Sequence, residues 1–221
     1  MQKTIVITGA NRGIGLALAQ NYFEQGDCVI AVCRKASAAI NTVATQIVEG
    51  VDVGDESSVE RLSQHLAATK IDILINNAGV LSPDTFGEID YDRAMLQFSV
   101  NALGPLRITE ALSGCLQAGS KVALITSRMG SITDNSSGRS YGYRMSKAAL
   151  NAAGMSLHRD LSPRKIAVGI FHPGYVQTDM VAGRGDITAQ RCAQRLQQRI
   201  AELDLNSSGQ FVHSNGELLP W

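Results

Sequence analysis

The stretch Thr4-Ile5-Val6-Ile7-Thr8-Gly9-Ala10-Asn11-Arg12-Gly13-Ile14-Gly15 decides the fold: a short, nearly continuous apolar run breaks at a glycine-rich turn and passes directly into an amphipathic helical pattern, Gly13 to Gln25. An apolar run without alternation suits a strand covered on both faces, as parallel sheets require. A glycine-rich turn between such a strand and a helix is where backbone N–H groups and the helix dipole can meet a dinucleotide pyrophosphate. Its candidate contacts are Gly9, Asn11, Arg12, Gly13, Ile14 and Gly15. The spacing is G-x-x-x-G-x-G instead of the commoner G-x-G-x-x-G, and glycine turns also serve purely structural ends, so the turn alone supports both readings.

Outward from this unit the pattern repeats. Further strand candidates are Cys28 to Val32, Gln46 to Val51, Ile71 to Ile75, Lys121 to Thr126, Ile166 to Phe171 and Gln210 to His213. Helical periodicity covers Glu56 to Ala68, Tyr91 to Leu116, Tyr141 to Leu161 and Thr188 to Leu203. Strand and helix in alternation predict an α/β doubly wound fold of Rossmann type, about seven mostly parallel strands with helices on both faces. No linker or internal repeat divides the chain, so residues 1–221 are expected to form a single domain. Two stretches rich in Gly, Ser and Asp, Ser131 to Ser140 and Gly174 to Asp186, read as loops at the ligand-binding edge.

Composition narrows the function. Twenty basic residues balance twenty acidic ones in 221, with 44% hydrophobic and 18% charged content. This balance gives no electrostatic reason to expect nucleic acid or an acidic membrane surface as partner. No apolar run approaches the ~20 residues of a membrane span, and no secretory signal pattern stands at the start. Cys28, Cys33, Cys115 and Cys192 are scattered without metal-ligand spacing, so no metal is expected and a reducing, cytoplasmic setting is.

The second strand ends at Val32-Cys33-Arg34-Lys35, where an NAD-selective site would carry an acidic residue for the ribose 2'-hydroxyl. Arg34, with Arg12 opposite, can clamp a 2'-phosphate, which favours NADP over NAD; two solvated surface arginines are the plainer alternative. Asp52, followed by Val53, can accept from an adenine amino group, or close a turn.

Tyr143 and Lys147 stand four residues apart on one helical pattern and therefore share a face. A fixed ammonium beside a phenol favours phenolate and fits the pair for exchanging a proton with a carbonyl or alcohol. The same spacing also suits a tyrosine on the buried edge of an amphipathic helix with a solvated lysine. Tyr141 competes as the acid but has Met145 where the lysine would be. Ser127 follows the strand Lys121 to Thr126 and can hydrogen-bond a developing alkoxide, with Thr126 and Ser131 as rivals. Asn101 is a mediocre helix former inside a helical pattern, so either a bound water or a helix-packing kink is its explanation.

These pieces resemble one family. Thr8-Gly9-x-x-x-Gly13-Ile14-Gly15, Asn76-Asn77-Ala78-Gly79, Asn101, Ser127-x-x-Gly130, Tyr143-x-x-x-Lys147 and Pro173-Gly174 occur in the order and approximate spacing of short-chain dehydrogenases/reductases, although the segment between Ser127 and Tyr143 is longer than in many of them. The Tyr141-to-Lys147 run and the Leu219-Pro220-Trp221 ending resemble the branch containing C-factor and Sniffer-like carbonyl reductases. The resemblance implies that Tyr143 is the catalytic acid/base, that Lys147 tunes it and binds the nicotinamide ribose, that Ser127 orients the substrate oxygen and that Asn101 supports a relay water. Asn77 would tie central strands together, Ala78 and Gly79 would line the adenosine side, and Pro173, Gly174, Val176 and Thr178 would cover the nicotinamide.

The implied activity is an NADP-linked carbonyl reductase or alcohol dehydrogenase acting on a small-molecule carbonyl or alcohol, assembled as a homodimer or homotetramer. An NAD(P)-binding regulatory or signalling protein of the C-factor type is the alternative. A nucleotide-sugar epimerase ranks behind both, since little chain remains for a substrate domain.

Overall fold

The computed structural model describes residues 2–221. Seven parallel strands form one sheet: β1 (Thr4–Thr8), β2 (Cys28–Val32), β3 (Gln46–Val48), β4 (Ile71–Asn76), β5 (Leu116–Ile125), β6 (Ala167–His172) and β9 (Phe211–His213). Their order is β3-β2-β1-β4-β5-β6-β9, the expected doubly wound arrangement. The chain winds outward from β1 in one direction and from β4 in the other, so the crevice between their carboxyl ends is the topological switch point.

Each central strand is buried on both sides because its side chains alternate between two cores. Val6 and Ile30 face the layer that includes Leu62, Ile108 and Leu150. These belong to α2 (Glu56–Leu66), α4 (Gly104–Ala111) and α5 (Tyr141–Leu161). Ile5, Ile7 and Val29 face the layer that includes Leu18 and Leu196, from α1 (Gly13–Glu24) and α6 (Ala189–Glu202).

Three departures from the sequence expectations have local causes. The strand expected over Gln46 to Val51 stops at Val48. Beyond it, Val51 N–H reaches across to the Cys33 carbonyl and the chain turns towards α2, where the Asp55 carboxylate caps Ser58 N–H at 3.1 Å.

The helix expected over Tyr91 to Leu116 is broken into α3 (Tyr91–Phe98), a π-helical segment Ser99–Leu103 and α4, and Leu116 already opens β5. Pro105 lacks the N–H that would bond to the carbonyl of Asn101, and Gly104 N–H reaches back to Ser99 instead. The loop expected over Gly174 to Asp186 contains the strand β7 (Val176–Gln177) and a 3-10 turn, Asp179–Val181; β7 pairs with β8 (Ile187–Thr188).

Candidate active site

The switch point is held by two neighbouring residues. The Thr8 hydroxyl accepts from the backbone N–H groups of Asn77 and Ala78 at 3.0 and 3.1 Å. In return the Asn77 side-chain amide donates to the carbonyls of Thr8 and Gly9 at 3.0 and 3.2 Å. These bonds bring the glycine turn against the end of β4, and Gly9 has φ +66 with a Cβ position 2.9 Å from Ala78 Cα. Only glycine fits there.

A cavity of about 630 Å³ follows from this junction. At one end its wall includes Arg34 and Lys35; at the other stand Tyr143 and Lys147. Among the expected contacts, Gly9, Asn11, Arg12, Gly13, Ile14, Asp52, Val53, Asn77, Ala78, Gly79, Pro173 and Thr178 line it.

Arg12, before α1, gives no side-chain cap, so the first-turn N–H groups of that helix are left for another acceptor. The Arg12 guanidinium instead lies 3.4 Å from the Asp179 carboxylate, both well exposed. Among the described residues the Arg34 side chain is exposed and has no hydrogen bond or ion pair. Asp52 lines the cavity and also closes a turn, accepting from Gly54 N–H at 2.8 Å, so both of its expected uses are compatible with its position.

Five expected residues are not on this wall. Gly15 is buried in the first turn of α1. Gly174 packs towards Ile187 and His213. Val176, in the two-residue strand β7, packs its side chain into the core with Leu196, and its neighbour Gln177 takes the cavity side. Asn101 and Ser127 are buried next to the wall.

At the chemical end, α5 presents Tyr143 and Lys147 on its buried face as the spacing requires, with the Lys147 Nζ 5.8 Å from the centre of the Tyr143 ring. That ammonium donates to the Ile125 carbonyl at 2.9 Å. Burial brings Lys147 down to about 8. Burial pushes the Tyr143 phenol up to about 12, and the neighbouring Ser127 hydroxyl works the other way.

Ser127 is delivered by the end of β5, where its hydroxyl accepts from Met129 N–H at 3.2 Å. The turn packs tightly on α5, since a Cβ on Gly130 would lie 2.7 Å from the Lys147 backbone. Its rivals are committed elsewhere. The Thr126 hydroxyl donates to Asn151 at 2.7 Å, and that of Ser131 accepts from Asp134 N–H at 3.0 Å. Tyr141 lies outside, its ring 6.4 Å from that of Phe86.

Asn101 occupies the π-helical segment. Its carbonyl oxygen accepts from Val80 N–H at 2.8 Å, and its amide donates to the Val80 carbonyl at 2.8 Å and to Ser146 Oγ at 3.0 Å. The side chain expected to hold a water is thus occupied by three protein contacts, and it fixes the strip Gly79-Val80 beside α5.

Sequence reasoning missed Asp84, whose carboxylate accepts from the first two N–H groups of α5, Tyr141 at 2.6 Å and Gly142 at 3.2 Å. It caps the helix from 57 positions away, and no local motif announces it. Also missed were His172 and His213, whose rings meet edge-on at 4.9 Å at the ends of β6 and β9. Burial, reinforced by the charges around it, lowers His172 to about 3.

Residues 3–188 match the family described as short chain dehydrogenase. A relative from Rhodococcus sp. (strain AD45), 1-hydroxy-2-glutathionyl-2-methyl-3-butene dehydrogenase, is 38% identical over 99% of both chains. C-signal of Myxococcus xanthus is 42% identical over 68% of this chain and 93% of its own. The crystal structure of NADPH-bound carbonyl reductase from chicken fatty liver superposes with TM-score 0.90 at 25% identity, covering 100% of this chain and 99% of that one.

Proposed function

The chain belongs to the short-chain dehydrogenase family, and from that premise we propose that it is an NADP(H)-dependent oxidoreductase interconverting a carbonyl compound and its alcohol. The observation that carries this reading is one cavity whose wall holds both Arg34, unpaired among the described residues, and the buried pair Tyr143 and Lys147.

The residues present fit a nicotinamide dinucleotide. The close approach of Gly9 to Ala78 and the uncapped start of α1 suit a pyrophosphate. Arg34, with no carboxylate partner among the described residues, suits a 2'-phosphate, and the exposed Arg12 to Asp179 pair is weak enough to be exchanged for one. The cofactor supplies the hydride; the chain supplies position and proton transfer. The superposing carbonyl reductase of chicken fatty liver binds NADPH, which supports the same choice.

In the reduction direction Tyr143 gives its proton to the substrate oxygen, and in oxidation it takes one. Ser127 hydrogen-bonds that oxygen as charge develops on it. Lys147 stabilises phenolate character through its positive charge, and Asn101 holds Val80 and Ser146 in place around it. The exposed apolar side chains Tyr91, Met95 and Leu96 on α3 and Met145 on α5 support assembly through these helices.

The test is titration of the purified protein with NADPH and with NADH by nicotinamide fluorescence, followed by carbonyl-dependent NADPH consumption. Tight NADPH binding and consumption are expected; binding of neither cofactor contradicts the reading. The likeness to C-signal favours a second reading, a cofactor-binding signalling protein with little turnover. Binding without consumption over a broad carbonyl panel would favour it.

A further inference from the structure

The segment leading into α5 is strained. Gly138, Arg139 and Ser140 have φ values of 60, 57 and 50, three consecutive residues in the left-handed region, two of them not glycine. L residues avoid such runs, and strain of this kind persists only where the surroundings over-determine it. Tyr143 stands just beyond it, so the path of this segment sets where the phenol points.

One guanidinium supplies much of that determination. Arg144 Nε donates to the carbonyls of Gly138 and Arg139, both at 3.2 Å, and Nη2 donates to Ser137 Oγ at 2.8 Å. Nη1 donates to the Met129 carbonyl at 3.3 Å. Met129 lies two residues beyond Ser127, and Arg144 is adjacent to Tyr143. On the other side Asp84 accepts from Ser140 N–H through its own carbonyl at 2.9 Å and from α5 through its carboxylate.

We propose that Arg144 is a positioning residue, a clamp that fixes the segments carrying Ser127 and Tyr143 relative to each other by holding the strained turn Gly138 to Ser140 closed. The planar fork makes this possible, because one rigid group reaches backbone on both segments at once; an ammonium at the end of a flexible stem does not reproduce it. Among the described residues no carboxylate pairs with Arg144, and its four acceptors are all neutral. Its charge is therefore spent on backbone and hydroxyl oxygens of this turn. The catalytic consequence rests on the oxidoreductase reading above, whereas the clamp itself does not.

The test compares wild type with Arg144→Lys and Arg144→Ala in three measurements: hydrogen exchange of the amides of Ser140 to Gly142, NADPH affinity, and kcat and KM per NADPH-binding site. Expected are faster exchange at those amides in both variants, unchanged NADPH affinity, and kcat lowered by about a hundredfold in Arg144→Ala, the scale of a small misplacement at a reacting centre. Addition of free guanidinium at millimolar concentration should restore part of the Arg144→Ala rate. Should Arg144→Ala fail to fold, Arg144→Lys carries the same comparison, because it keeps the charge and loses only the fork. Unchanged exchange in the variants overturns the clamp. So does faster exchange with unaltered kcat per binding site, which is what a merely structural role gives. If wild type turns over no carbonyl, the oxidoreductase reading fails, and the exchange measurement still decides the clamp.

Discussion

The Lys147 ammonium lies 5.8 Å from the centre of the Tyr143 ring, with both side chains buried on one face of α5. Burial acts oppositely on their proton affinities, bringing the lysine down to about 8 and the phenol up to about 12. Tyr143 therefore stays a phenol, a proton donor, across the neutral range, while Lys147 loses its charge as pH rises through about 8. The kcat for carbonyl reduction is expected to be level between pH 6 and 7.5 and to decline above about 8. A rate that climbs steadily to pH 9.5 would contradict the assignment.

The same lysine leaves a mark on stability. Its folded value lies below its ordinary value of 10.5, so between about 8 and 10.5 the unfolded chain holds the proton and the folded chain does not. Stability contributed by this site therefore rises with pH across that window, by up to about 1.4 kcal/mol per pH unit. Urea denaturation of wild type and Lys147→Met at pH 7.5 and 9.5 isolates it, since other titrations cancel in the difference. Wild type should gain relative to the variant at the higher pH; a difference independent of pH would count against a buried, deprotonating lysine.

His172 works at the acid side. Burial, with His213, Arg128 and Lys147 near it, lowers it to about 3 from an ordinary 6.5. Between those values the unfolded chain takes up a proton that the folded chain refuses, and stability falls as pH is lowered through the window. His172→Gln should flatten the loss of stability between pH 6.5 and 4.5, read as the dependence of the urea midpoint on pH. An identical slope in both proteins would show that His172 is not the group responsible.

Cofactor selectivity is expected to reside in Arg34. Its side chain is exposed and, among the described residues, makes no hydrogen bond or ion pair, so Arg34→Ala should leave the melting temperature nearly unchanged. Losing a charge-assisted bond to a phosphate should weaken NADPH binding by about 10- to 100-fold while NADH binding is retained. Equal weakening of both cofactors would assign Arg34 to the fold instead of to the 2'-phosphate.

Sequence reading reached the elements that frame this candidate site because their determinants are local. The Thr8-to-Gly15 turn, the four-residue interval from Tyr143 to Lys147 and the bounds of α5 are set by periodicity and by glycine, and all are present in the structure. What escaped was tertiary. Asp84 caps α5 from 57 positions away, and Arg144 draws its acceptors from two separate segments. The break at Asn101 had a local signal, since Pro105 stands where it cannot donate to the Asn101 carbonyl; reading apolar periodicity through it gave one long helix where there are three segments. The orientation of the Val176 side chain escaped for a related reason. The stretch after Gly174 was read as loop, and only its pairing with Ile187 to Thr188 fixes which side chain faces the cavity.

The most direct test of the central claim is single-turnover reduction of a carbonyl substrate by pre-bound NADPH, comparing wild type with Tyr143→Phe. The variant loses one hydroxyl and keeps the ring, so NADPH affinity and melting temperature should stay close to wild type. The rate of NADPH consumption is expected to fall by about 10²- to 10⁴-fold, the usual weight of a general acid. A variant that binds NADPH and reduces the carbonyl at the wild-type rate would remove Tyr143 from the chemistry and the proposed mechanism with it.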